Sequence, residues 1–100
     1  MSEPAAVLLV FFTSRRSGPA RRMESLLAHI ARRERDRLRV RRVDVDEQPE
    51  LAERFLVADV PSLVLVKRRR VVARLEGRST APQIDAMLEG HLRDGAPAAA

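Results

Sequence analysis

Residues 5–30, AAVLLVFFTSRRSGPARRMESLLAHI, decide the fold. Residues 5–12 are apolar at every position, which predicts a strand covered on both faces, because a strand with one exposed face alternates apolar and polar residues. After a polar turn, apolar residues recur with the period of a helix and would line one side of it: Met23, Leu26, Leu27, Ile30 and Ala31. The stretch therefore predicts a buried strand, a turn and a helix that packs on the strand.

The turn carries the signals of a helix start. Ser17 is an N-cap residue type, whose hydroxyl accepts a hydrogen bond from a free N–H of the first turn. Pro19 lacks an N–H and is therefore tolerated in that turn, and Gly18 is expected to let the backbone turn tightly before it. We expect the first turn of the helix at residues 17–20.

A second strand is predicted over residues 38–46, with Leu38 and Val40 on one face and Val43 and Val45 on the other. The change of phase between these pairs indicates either a bulge or a strand covered on both sides. Because the connection from the first strand is long and helical, the two strands should run parallel.

The second half of the chain predicts a short helix, a hairpin and a last helix. Residues 49–55 form the short helix, whose inward residues are Leu51, Ala52 and Phe55. Residues 62–66 and 71–75 form the hairpin, with the KRRR segment at residues 67–70 at or near its turn.

The hairpin's second strand is expected at the edge of the sheet, because its arginines would discourage pairing with another chain. One face would carry Val72, Arg74 and Glu76, and the other Val71, Ala73 and Leu75. Thr80 and Gln83 are spaced as a capping box for the last helix. The apolar stripe of that helix is Ile84, Met87, Leu88 and Leu92.

One hundred residues with 45% apolar content suffice for one domain with one core. We expect this domain over residues 1–94 and a disordered tail, GAPAAA, over residues 95–100. The predicted order is β-α-β-α-β-β-α, an α/β fold with a four-stranded mixed sheet flanked by helices in three layers.

The net charge of +5 is unevenly distributed. Residues 15–42 contain eleven arginines and three acids, whereas residues 43–66 contain six acids and one arginine. Eighteen of the nineteen cationic residues are arginines, a bias that codon usage also produces. Charge alone therefore does not identify a partner.

The chain contains no cysteine, which excludes a disulfide, a thiolate nucleophile and a cysteine metal site within it. Its longest apolar run is too short to span a bilayer, and its N-terminus lacks the features of a secretion signal. These observations predict a cytoplasmic protein without a membrane partner.

Several spaced motifs resemble the thioredoxin family in its minimal form, without the extra first strand and helix of full thioredoxins. The first strand runs into Arg16-Ser17-Gly18-Pro19-Ala20, where that family has Trp-Cys-Gly-Pro-Cys. Three further motifs agree: VDVDEQPELAERF, Val60-Pro61-Ser62 before the LVLVK strand, and Gly77 before the last helix. The match runs without gaps over roughly residues 7–92 and implies a thioredoxin-like fold.

The same resemblance implies that dithiol chemistry has been lost. The family's two cysteines correspond to Ser17 and Ala20, neither of which can exchange a disulfide. The tryptophan before them corresponds to Arg16, and the buried acid that assists proton transfer in the family corresponds to Phe11. Arg42 falls where the family has a partly buried lysine, so its counter-ion is not evident. We expect no catalytic residue, no thiol–disulfide oxidoreductase activity and no cofactor.

A groove for an extended peptide remains as the preferred hypothesis. The resemblance implies a cis peptide bond before Pro61 and a backbone at Val60 that pairs with the bound segment. The expected binding residues are Arg16, Ser17, Gly18, Pro19, Val60, Pro61 and Gly77. On this hypothesis the protein is a non-catalytic module that binds a protein or peptide. The alternative, that these residues persist only for the geometry of the fold, stays open.

A second hypothesis is an anion site at the start of the first helix. Free N–H groups beside Ser17 would face a phosphate or carboxylate. The arginines around them are Arg15, Arg16, Arg21 and Arg22. With residues 67–70, this surface would extend to an RNA or DNA backbone. No Trp or Tyr is present, and Phe11, Phe12 and Phe55 are expected in the core, so no platform for base stacking is evident.

The remaining polar residues predict no metal site. His29 and His91 fall on different helices, and Asp44 and Asp46 lack a third ligand. The sequence indicates neither the oligomeric state nor the identity of a partner.

Overall fold

A computed structural model describes residues 7–92. The elements are β1 (Val7–Thr13), α1 (Gly18–Arg33), β2 (Arg39–Asp44), α2 (Pro49–Arg54), β3 (Ser62–Lys67), β4 (Arg70–Glu76) and α3 (Ala81–Leu92). The four strands form one sheet in the order β2-β1-β3-β4. β1 and β2 are parallel, whereas the β1–β3 and β3–β4 pairs are antiparallel. The predicted order and mixed sheet are confirmed, while the expected tail at residues 95–100 lies outside the described residues.

The sheet is packed on both faces because alternate residues of β1 enter different core clusters. Val7, Leu9 and Phe11 are buried with residues of α1 and α3. Val10 and Phe12 are buried on the other face, where Leu51 and Phe55 of the α2 segment pack against them. The apolar run predicted to be covered on both faces is therefore one of the two central strands of a three-layer fold.

In β2, the apolar residues belong to both cores. Val40 packs with the α1 side, and Val43 is buried on the α2 side. The pairing with β1 advances without a shift from Arg39 to Asp44. Of the two alternatives for this strand, coverage on both sides is therefore right and the bulge is wrong.

The irregularity lies in β4, which is the predicted edge strand. Leu65 pairs with Ala73 but the next residue, Val66, pairs with Val71, so β4 contains one extra residue. Ala73 packs with the α1 side, whereas Val71 lies opposite Val66 of the α2 side and is 45% exposed. The predicted grouping of Val71 with Ala73 and Leu75 is wrong, because the bulge shifts the alternation.

Both predicted helix starts are capped as expected. The Ala20 N–H donates to the Ser17 hydroxyl at 3.0 Å. Before α3, the Gln83 N–H donates to the Thr80 hydroxyl at 3.3 Å and the Thr80 N–H donates to the Gln83 side chain at 2.8 Å. None of the helices within residues 7–92 is long and apolar enough to cross a membrane.

A cluster of charged side chains joins the end of α1 to α3. Arg33 donates to Glu34 at 2.9 Å and to Asp85 at 2.7 Å, and Arg37 donates to Glu34 at 3.0 Å. Burial raises the pKa of the Glu34 carboxyl, but the hydrogen bonds from Arg33 and Arg37 outweigh it and the net pKa lies below its usual value. The guanidinium groups of Arg33 and Arg37 therefore have carboxylate partners within the domain.

We expect the paired substitution Arg68→Asn and Arg69→Gly to stabilise the protein. Both arginines have positive φ, 54° and 68°, which a two-residue hairpin turn requires and which Asn-Gly adopts at lower cost. The free energy of unfolding should rise by about 1 kcal/mol in urea denaturation. As a control, Arg70→Gly within β4 should lower it by about 0.5–1 kcal/mol. If the paired substitution left stability unchanged or reduced it, the assignment of strain to this turn would be wrong.

Candidate peptide-binding groove

The predicted groove residues lie together at the end of the sheet where β1 stops. The Arg16–Pro19 segment begins three residues after β1 ends, and Pro61 precedes β3, whose Ser62 pairs with Phe12 near the end of β1. The Val60–Pro61 peptide bond is cis, as the resemblance implies. The Gly77 N–H donates to the Pro61 carbonyl at 2.9 Å, so the chain after β4 is tied to the segment that carries this bond. Gly77 has φ of 86°, where a glycine is needed.

Ser17 and Ala20, at the positions of the family's cysteines, serve the helix. The Ser17 hydroxyl accepts from the Ala20 N–H, and Ala20 is fully buried. Beside them, the Ser14 hydroxyl accepts from the Arg16 N–H at 3.1 Å and donates to Asp46 at 2.6 Å. These hydrogen bonds hold the segment between β1 and α1 in place.

The main-chain N–H and C=O of Val60 are unpaired, since neither forms a hydrogen bond with another residue between 7 and 92. Beside it lies a shallow groove of about 330 Å³. The groove is lined by Val45, Pro49, Ala52, Glu53, Val57, Ala58 and Val60. An unpaired main-chain N–H and C=O beside a largely apolar groove are groups with which an extended peptide can pair.

Of the predicted binding residues only Val60 lines this groove. Sequence reasoning missed the other lining residues and the contact between Ser14 and Asp46 that holds the nearby β1–α1 segment. Val57 and Ala58 lie in a segment without periodicity, and Val45 was predicted only as part of one face of the second strand. Ser14 and Asp46 were not recognised as partners, because they are 32 residues apart. The signal that would have found two of these lining residues is the position of Val57 and Ala58 just before Val60.

Gly18 does not have the role predicted for it. Its φ is not in the left-handed region, and an added Cβ would meet only the Arg22 guanidinium, at 3.5 Å, an ordinary contact. The chain reverses direction at residues 14–17 instead, where the Ser17 N–H donates to the Ser14 carbonyl at 3.0 Å. The tight turn therefore does not depend on glycine at position 18.

The predicted anion site has almost no free N–H groups. Pro19 has none, the Ala20 N–H is bound by Ser17, and the Arg16 N–H is bound by Ser14. Only the Gly18 N–H is unbonded in the first turn within the described residues. Of the surrounding arginines, Arg15 contacts Glu47 at 3.3 Å, and all four are exposed: Arg15, Arg16, Arg21 and Arg22.

The two halves of the predicted nucleic-acid surface lie at opposite ends of the sheet. Lys67, which begins the KRRR segment, pairs with Val7 at the start of β1, whereas the helix start follows its last residue, Thr13. A strand of seven residues separates them by about 20 Å. The arginines around Ser17 and the hairpin turn do not form one continuous surface.

A core phenylalanine, Phe11, occupies the position of the family's buried acid. Phe11 is 1% exposed and belongs to the cluster on the α1 side. Arg42 pairs with it across β1 and β2 but sends its guanidinium to Glu24 of α1, at 3.3 Å. The counter-ion that the sequence left open is therefore Glu24, on the surface.

No metal site is formed by residues 7–92. They contain no group of three or more His, Asp or Glu side chains that could hold an ion. Asp44 is buried and accepts from the Asp46 N–H at 2.8 Å, and Asp46 in turn accepts from Ser14. These two carboxylates have a structural role. His29 and His91 lie on α1 and α3, as expected.

The fold and the groove define a class, a thioredoxin-like α/β domain whose helix start carries no thiol. The family model described as thioredoxin matches residues 1–90. The chain is 35% identical over 81 residues to a thioredoxin of Alicyclobacillus acidocaldarius subsp. acidocaldarius, covering 81% of this chain and 77% of that protein. It is 30% identical over 86 residues to a thioredoxin-like protein of Synechocystis sp., covering 86% and 81%.

The structural similarity agrees. A mutant thioredoxin from Halobacterium salinarum NRC-1 matches with a TM-score of 0.81 and 27% identity, covering 88% of this chain and 76% of that one. The chain belongs to the thioredoxin family.

Proposed function

We propose that this protein is a non-catalytic member of the family that binds an extended segment of a partner protein in the groove beside Val60. The observation that carries the proposal is the unpaired Val60 backbone next to the apolar groove. The chain has no cysteine, so it performs no thiol–disulfide exchange of its own. Its location in this proposal is the cytoplasm.

The binding mode follows from the unpaired main-chain groups of Val60. The N–H and C=O of Val60 would pair with the main chain of the partner, and alternate side chains of the partner would enter the groove along Val45 and Val57. Arg16 is exposed and forms no ion pair within the described residues. It would favour a segment with a carboxylate near the pairing residue.

The anion site is the weaker candidate because its main-chain donors are used internally. A helix start binds phosphate through several free N–H groups at once, and only the Gly18 N–H remains here. Binding to nucleic acid through this end would rest on exposed arginine side chains alone.

Peptide selection tests the proposal. The immobilised protein is used to select extended peptides from a random displayed library, and the selected peptides are measured against Val60→Asp. Val72→Asp is the matched control, because Val72 is a partly exposed valine of β4 outside the groove. We expect selected peptides to lose at least tenfold in affinity with Val60→Asp, since a charge in an apolar groove is strongly unfavourable, and to bind Val72→Asp normally.

Amide chemical shifts provide an independent measure that needs no variant. On addition of a selected peptide, the Val60 amide should shift more than that of any residue in β2. Selection of no peptide, or peptides that bind both variants equally and leave the Val60 amide unmoved, would show that the groove persists only for the geometry of the fold.

A further inference from the structure

The α2 side of the sheet has one row of residues that α2 does not cover. The strand registers place Arg39, Leu8, Val66 and Val71 side by side across β2, β1, β3 and β4. The next row towards the groove contains Val10 and Val64, which are 3% and 1% exposed. In the first row, by contrast, Leu8 and Val66 are only partly buried and Val71 is 45% exposed.

The short length of α2 explains the difference. It has six residues, about 9 Å of helix, and its segment packs through Leu51 and Phe55 onto the rows of Val10 and Phe12. The row of Leu8, Val66 and Val71 lies beyond its reach. The core on this side therefore ends in an open apolar strip across β1, β3 and β4.

Arginines without partners border this strip. Arg39 and Arg41 lie on β2 at one side, and Arg68 and Arg69 form the hairpin turn at the end of the sheet. All four are exposed, and none of their side chains forms an ion pair or hydrogen bond with another described residue. Five arginines elsewhere, at positions 15, 33, 37, 42 and 74, each contact a carboxylate, whereas others, such as Arg16, contact none among residues 7–92. We call the strip and its four arginines the arginine-rimmed patch.

We propose that the arginine-rimmed patch binds an acidic amphipathic segment of a partner protein, at the end of the sheet opposite to the groove. The strip of Leu8, Val66 and Val71 would bury the apolar side of the segment. The unpaired arginines would receive its carboxylates, because a guanidinium group binds a carboxylate through two parallel hydrogen bonds. The row from Arg39 to Val71 crosses four strands and spans about 14 Å, the length of a helix of roughly ten residues.

Charge and composition favour this occupant over two others. A second copy of the chain would bring two positive rims together, which is unfavourable. A nucleic acid would leave the apolar strip unused, and the protein's only aromatic residues, Phe11, Phe12 and Phe55, lie in the cores and present no stacking surface. The acidic segment uses both the apolar strip and the rim.

Fluorescence anisotropy with a designed peptide tests the inference. The probe is a labelled helical peptide of about 14 residues with leucines on one side and glutamates on the other. Two control peptides keep the length, one with serine in place of leucine and one with lysine in place of glutamate. We expect binding of the probe at low salt and at least tenfold weaker binding of both controls.

Charge reversal on the protein separates the patch from the overall charge. Arg39→Glu with Arg69→Glu should weaken binding of the probe about tenfold or more. Arg32→Glu with Arg54→Glu changes the net charge equally at exposed arginines outside the patch and should change affinity about twofold at most. Val71→Ser, at an exposed position, should weaken binding about fivefold.

Several results would overturn the inference. They are equal loss of affinity in both charge-reversed variants, binding of the serine peptide as tightly as the probe, and amide shifts on binding that avoid Leu8, Val66 and Val71. Tighter binding of a short DNA duplex or RNA strand, removed by Arg39→Glu with Arg69→Glu, would assign the patch to nucleic acid. A dimer in sedimentation that Val71→Ser dissociates would assign it to a second copy.

Discussion

The double variant Ser17→Cys/Ala20→Cys should catalyse the reduction of insulin disulfides by dithiothreitol, whereas the unmodified chain should leave the uncatalysed rate unchanged. The two positions are three residues apart at the start of α1, and the Ser17 side chain already lies 3.0 Å from the Ala20 N–H. A thiolate at position 17 would be stabilised by the same helix start and by Arg16, which lowers the pKa of a thiol below its ordinary value of about 8.5.

The reaction needs both introduced thiols. The thiolate at position 17 attacks a disulfide sulfur of insulin and releases one insulin thiolate; the thiol at position 20 then attacks the mixed disulfide and releases the second. Dithiothreitol returns the oxidised variant to the dithiol. Turnover should be slow relative to the family's enzymes, because Phe11 stands where their buried acid assists proton transfer.

Single variants are the controls for this experiment. Ser17→Cys alone should form mixed disulfides without turnover, and Ala20→Cys alone should do neither, because Ala20 is fully buried. A correctly folded double variant with no activity above the dithiothreitol baseline would show that the helix start has diverged in more than its thiols. Activity would show that the binding groove and the scaffold of the family remain functional.

The order of elements could be predicted from local sequence signals, because each of these signals indicates a single type of element. A fully apolar run before a capped amphipathic pattern predicted β1 and α1, and the spacing of Thr80 and Gln83 predicted the start of α3. The strand faces were harder. Val71 pairs with Val66 and shares its face of the sheet only because β4 contains a bulge. The alternating pattern of the sequence did not indicate that bulge.

The candidate site was predictable as a list of residues but not as a geometry. Val60, Pro61 and Gly77 were placed by resemblance, and the Gly77–Pro61 hydrogen bond brings two of them together. The anion hypothesis depended on free N–H groups at the helix start. In the structure the hydroxyls of Ser14 and Ser17 accept hydrogen bonds from two of them, which the sequence does not show. The arginines around Ser17 and the KRRR segment were grouped as one basic surface. The strand register shows that they lie apart by the length of β1.

Phe11→Ala should destabilise the protein by about 3–5 kcal/mol, a large part of the 5–15 kcal/mol typical of a small domain. Phe11 is 1% exposed and belongs to the larger core, together with Leu9 and residues of α1 and α3. Its loss removes apolar contacts and leaves a cavity that the sheet cannot close, because β1 is paired on both sides. Urea denaturation followed by circular dichroism measures the change, and Phe11→Leu, which keeps most of the volume, should cost about 1.5 kcal/mol or less.

Phe11→Asp, which restores the residue type of the family, should be worse than Phe11→Ala. The nearest cation by register is Arg42, but its guanidinium is held by Glu24 at 3.3 Å and its side chain is 52% exposed. A carboxylate at position 11 would therefore be buried without a partner, and an unpaired buried charge costs more than a cavity. We expect this variant to be largely unfolded at neutral pH and to gain structure as the pH falls and the carboxyl is protonated. If Phe11→Asp were folded at neutral pH and as stable as Phe11→Ala, Arg42 would have to leave Glu24 and reach the core. The surrounding core would then still accept an acid at position 11, as the family's core does.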